Sequence, residues 1–225
     1  MSHTFSLVDS LALDDLHTFL GRAARIEEGS VRLIAGSGVL AAYVAVLYPV
    51  GLRDESPTVL GLRTFALTGQ ATFDAVVPLR SLIERLVRLQ NADRDRSEPV
   101  TVGLPIEVNT ATWAAISPPR GGWLQLEATE PRMLETVARE GIDEIRQAVP
   151  DEIGEQILRR VRSEVWSRPI PGLEHVPAGA AFAAMSLGFL ATDAPISIHE
   201  TGPWTRLTSA GGHTLVRRKS WTLLH

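Results

Sequence analysis

The sequence predicts an α+β fold: an N-terminal antiparallel sheet with flanking helices, then a C-terminal helical segment followed by a small β-meander. Three observations carry this. Apolar residues recur at helical spacing in four separate stretches. Between the first two lie short segments of strand type, punctuated by glycine and proline. The last thirty residues read as three strands with tight connections.

The first helix is expected over residues 10–25. Ser10 is placed to cap it, and Leu13, Leu16, Leu20 and Ala23 form its apolar stripe. Val31, Leu33 and Ala35 then alternate with Arg32 and Ile34. The Gly36-Ser37-Gly38 turn leads into Val39–Tyr48, which is apolar on both faces and reads as a central strand. Thr58–Leu67 and Ala71–Val77 follow, and their short connections predict antiparallel neighbours. Pro78 opens a second helix, where its missing N–H costs nothing, and Leu79, Leu82, Ile83, Leu86 and Leu89 mark its face.

The polar run Asn91–Pro99 separates the halves. The expected organisation is an α-β-β-β-β-α sandwich over 1–92, a linker at 93–99, and a helical plus β-meander domain over 100–225, continuous with the first or separate from it. In the second half Thr129 caps a helix carrying Leu134, Val137, Ala138, Gly141, Ile142, Ile145 and Val149. Pro150 breaks it. Ile153, Ile157, Val161 and Val165 mark the next helix. Residues 178–191 are apolar all round, which places that helix inside a core. Ile196–Glu200, Trp204–Thr208 and His213–Lys219 form the meander.

Composition bounds the function. With 225 residues and no cysteine, the chain folds without disulfides and carries no thiolate metal site or cysteine nucleophile. The start of the sequence has no positive n-region and long h-region, and the longest apolar stretch is too short for a bilayer, so a cytoplasmic location is expected. Of 22 basic residues only Lys219 is lysine, a bias that codon usage explains better than ligand binding. Residues 127–156 hold three basic and nine acidic groups, and residues 157–225 hold eight and four. That split marks two surfaces for a partner, or two solvated faces.

No Walker loop, dinucleotide fingerprint, H-E-x-x-H or nucleophile elbow is present, so no catalytic residue, cofactor or metal is assigned. His199 and Glu200 against His213 are the best metal arrangement, but His199 and Glu200 point to opposite faces of a strand. The candidate ligand- or partner-binding residues are Arg120, Gly121, Gly122, Trp123, Trp166, Trp204 and Arg206. In the Pro118–Trp123 loop, Arg120 and the two glycines offer a guanidinium and backbone N–H groups to an anion, and Trp123 offers a rigid anchor. Three helices and a hairpin over 130–219 follow the order of a winged helix. The third helix lacks Lys, Arg, Asn and Gln, which argues against base reading. Arg206, Arg217, Arg218 and Lys219 leave only weak phosphate contact.

Four blocks, Leu60–Arg63, Ser117–Trp123, Pro177–Ala184 and Trp204–Leu207, resemble an uncharacterised family of high-GC actinobacterial proteins. The resemblance implies a bacterial cytosolic protein and carries over no site. The sequence thus favours a non-catalytic protein-interaction or regulatory role, through an unknown protein partner or self-association. The alternatives are a small-anion or metabolite binder, or an enzyme, using a pocket between the halves with Arg63, Arg120, His199 and Arg206. A nucleic-acid binder through the basic meander ranks last, and no membrane partner is expected.

Overall fold

The computed structural model describes residues 3–50, 54, 56–93, 95–108, 111–115, 117–148 and 154–217. It is an α+β protein whose described strand pairs are antiparallel. By packing, the chain divides into two units. One comprises residues 1–45 and 62–117, the other residues 46–61 and 118–225.

The first unit contains β1 (Thr4–Leu7), α1 (Ser10–Ala24), β2 (Ser30–Gly36), β3 (Val39–Leu47), β4 (Thr58–Thr68), β5 (Phe73–Pro78), α2 (Leu79–Gln90) and β6 (Val100–Gly103). The ends of β3 and β4 fall in the second unit. The predicted α1 stripe is buried: Leu13, Leu16, Leu20 and Ala23 all face the core, and α1 packs on α2. Leu79, Leu82 and Leu86 do the same from α2.

Two expectations are corrected here. The cap of α1 is Asp9, not Ser10. Asp9 is extended, and its carboxylate accepts from the Ala12 N–H at 2.7 Å, leaving Ser10 as the first helical residue. Asp9→Ala is expected to cost about 1 kcal/mol, measured as a lower urea midpoint at unchanged slope. The strand order also differs from a simple meander. β5 does not pair with β4 but crosses to β2, with Val31 opposite Val77. The reason is that the C-terminal end of β4 is taken by β1, with Leu7 opposite Leu67, so β5 pairs at the open edge of β2.

In the second unit follow β7 (Leu124–Gln125), α3 (Pro131–Ala148), α4 (Glu155–Ser167), β8 (Pro169–Ile170), β9 (Leu173–Pro177), α5 (Ala178–Ser186), β10 (Ser197–Thr201), β11 (Trp204–Ser209) and β12 (Gly212–Arg217). The meander is as predicted, and β7 pairs on the outer side of β10. Thr129 does not cap α3: its backbone is engaged in a bridge with Ile196, and its hydroxyl approaches the Met133 sulfur. Val149, Pro150 and Ile153 lie outside the described residues. The apolar segment at 178–191 is helical to Ser186, with Ala178 to Ala181, Ala183 and Ala184 buried, and Leu187 and Phe189 beyond it are buried too. Among the described residues, no helix is long and apolar enough to cross a membrane.

Candidate functional site: a cationic row on the meander

The loop from Pro118 to Trp123 is irregular, as two successive prolines require. It closes on itself: the Trp123 indole Nε1–H donates to the Pro119 carbonyl at 3.1 Å. Gly122 has φ +77°, a conformation that side chains resist, so glycine is needed there for the chain to turn into β7. Arg120, Gly121 and Gly122 are exposed. Trp123 is partly covered because the Arg206 guanidinium stacks over its ring, 4.5 Å from the centroid.

Arg206 stands on β11, and strand register decides its neighbours. His199 on β10 lies directly opposite it, and Gln125 on β7 lies opposite His199. His213 on β12 faces Thr208, two residues from Arg206 and therefore on the same side of the sheet. The Thr208 hydroxyl and His213 Nδ1 are 3.0 Å apart. A row of nitrogen-bearing side chains thus crosses four strands. Glu200, the nearest acid in sequence, points to the other face, where the Thr205 hydroxyl donates to it.

Among the described residues, no acid compensates this row. Burial lowers the Arg206 pKa, and no acid among the described residues offsets it. Its Nε and the His199 Nδ1 are buried without a hydrogen-bond partner among the described residues. His199 is held below its ordinary value, first by burial and then by the Arg206 charge. His213 is lowered by burial, by Arg206 and by His199. By contrast Arg63 is matched, donating to Asp15 at 2.6 and 2.9 Å.

Of the residues singled out from sequence, the structure brings Trp123 and Arg206 together and adds His199 and His213. Trp166 and Trp204 are only 2% and 4% exposed, so neither ring is a surface anchor. Arg218 and Lys219 lie outside the described residues. Missed by sequence reasoning was β7, where Leu124 is 72% exposed and Leu126 is also exposed. The signal was available as Leu124-Gln125-Leu126 directly after a glycine loop, a short alternating run. Among the described residues no three His, Asp or Glu side chains gather to hold a metal.

The fold is similar to that of DNA polymerase sliding clamps. The DNA polymerase III β subunit of Borrelia burgdorferi, in complex with a natural product, superposes with a TM-score of 0.52 at 8% identity, over 99% of this chain and 67% of that one. The DnaN sliding clamp of Bartonella birtlesii bound to griselimycin gives 0.51 at 11% identity, over 98% and 66%. The polymerase III β subunit of Caulobacter crescentus gives 0.51 at 12% identity, over 97% of this chain and 65% of that one. The chain therefore spans just under two thirds of the Caulobacter clamp. No curated protein matches it in sequence. Residues 1–111 match the model of one domain of unknown function, DUF8010, and residues 118–221 match a second, DUF8185.

Proposed function

We propose that this chain is a non-catalytic, cytoplasmic protein-interaction protein, and that its contact surface is the β7 edge of the second unit. The observation that carries this is the exposed Leu124 on a terminal strand. β7 pairs with β10 on one side only among the described strands, so its other side offers backbone N–H and C=O groups to an added strand. The occupant is an extended polypeptide segment with an apolar residue seated against Leu124. The resemblance to clamps named for DNA polymerase supports a role in binding proteins rather than transforming a substrate.

The test is native purification with light scattering, on the wild type and on Leu124→Lys. A stoichiometric complex is expected, with a second copy or with another protein, and Leu124→Lys should weaken it at least about tenfold. Burying one leucine contributes roughly 1.5–3 kcal/mol, and about 1.4 kcal/mol is a factor of ten. A monomer without a stoichiometric companion would overturn the reading.

DNA contact has less support from this chain's own residues. On α2, Arg80 is paired with Glu28, and Arg85 donates to the Gly103 carbonyl. Helix α3 carries four acidic residues against three arginines. Filter binding that falls steeply with salt would reverse this order.

A further inference from the structure

We infer that Arg206, with Trp123 beneath it and His199 and His213 beside it, forms a binding site for a single carboxylate group. This goes beyond the β7 contact, because it names a chemical group and a different set of side chains.

Four observations lead there. First, Arg206 is held rather than mobile: its guanidinium lies on the Trp123 ring, and Trp123 is itself tied to the Pro119 carbonyl. Second, the Arg206 Nε is buried without a hydrogen-bond partner, and among the described residues no carboxylate pairs with its guanidinium. A fork of two parallel N–H donors presented this way matches the two oxygens of a carboxylate. Third, among the described residues no acid stands directly across from Arg206 on either neighbouring strand. The residue opposite Arg206 on one side is His199 and on the other Leu215, and neither brings negative charge. A partly desolvated cation without a partner is costly, and such groups concentrate at binding sites. Fourth, the histidines set the ligand's charge. Both are pushed toward the neutral form, so near neutral pH the row holds one positive charge and not three. One positive charge suits a carboxylate better than a phosphate dianion. Neutral imidazoles still contribute hydrogen bonds, with His213 Nε2 available because Nδ1 faces Thr208.

A carboxylate could come from a small metabolite or from an acidic residue of a polypeptide, and the experiment separates the two. The full chain is titrated with N-acetylglycine, which carries one carboxylate, with an acidic peptide amide and with inorganic phosphate, while the imidazole C2–H signals are followed by NMR. The expected result is a saturable shift of the His199 and His213 signals with N-acetylglycine or the peptide, and no shift of the His17 signal. Saturation by N-acetylglycine assigns the site to small molecules. Saturation by the peptide alone assigns it to an acidic polypeptide. Arg206→Met, checked for native circular dichroism, should abolish either response. Arg206→Lys, which keeps the charge and loses the fork, should weaken it at least tenfold. Should Arg206→Met not fold, the lysine variant alone decides. No saturation by either carboxylate, saturation by phosphate only, or unchanged binding in the arginine variants overturns the proposal.

Discussion

Trp166→Ala is expected to cost about 3–5 kcal/mol of folding stability, the range found when a buried large aromatic is truncated. Trp166 closes α4, is 2% exposed, and stacks on Phe182 of α5 with ring centroids 4.5 Å apart. The ring also lies against Gly141 of α3. A Cβ placed at Gly141 would come within 2.6 Å of Trp166 Cη2 and closer still to Cζ3. Gly141→Ala therefore sets two effects against each other. Alanine gains about 1 kcal/mol of helix propensity over glycine. Overpacking a ring that cannot retreat costs roughly 1–3 kcal/mol, and more when the clash is severe. Because the ring is buried and backed by Phe182, the clash wins, and a net loss of about 2 kcal/mol is expected. Trp166→Phe should be milder than either, since it also removes an indole N–H buried without a hydrogen-bond partner among the described residues. Urea unfolding followed by far-ultraviolet circular dichroism measures all three. The decisive measurement is the double mutant. In a Trp166→Leu background, Gly141→Ala should become neutral or stabilising, because only propensity remains. An equal loss in both backgrounds would mean that the contact is not what glycine serves.

That contact shows what sequence could and could not disclose. Gly141 stood inside a helical apolar pattern, where it reads as a weak point. Only its long-range neighbour Trp166 explains it, and no periodicity links positions 25 residues apart. Local rules did well where one interaction dominates. The all-apolar run from Ala178 had to be buried, and the glycine turns at 202 and 211 had to make hairpins. They failed where two local choices competed, as with Asp9 and Ser10, both able to cap. They failed again where pairing depended on which sheet edge was already occupied, as with β5. The candidate site was half legible. Trp123 and Arg206 were visible as residue types, but 83 positions apart. Bringing them together needed β7 beside β10 and β10 beside β11. His199 and His213 were noticed as a pair the meander could join. What joins them is a shared face around Arg206.

The same row predicts a pH-dependent stability. His199 and His213 both sit below the ordinary imidazole value of 6.5 in the folded state, first because of burial and then because of Arg206. The folded protein consequently binds fewer protons than the unfolded chain over this range. Stability is fully present above about pH 6.5 and is lost as pH falls through the two folded values. Arg206→Met removes one positive neighbour from each imidazole but leaves burial in place. Both C2–H titration midpoints should therefore rise without reaching the ordinary value, and the decline in urea midpoint between about pH 7 and pH 5 should become shallower. A bound carboxylate should act in the same direction as that substitution, raising both midpoints, because its charge offsets Arg206. By reciprocity, protonating the histidines must then tighten carboxylate binding. Midpoints at or above the ordinary value in the wild type, unmoved by Arg206→Met, would show that the three side chains do not sense one another and that the row is three separate residues.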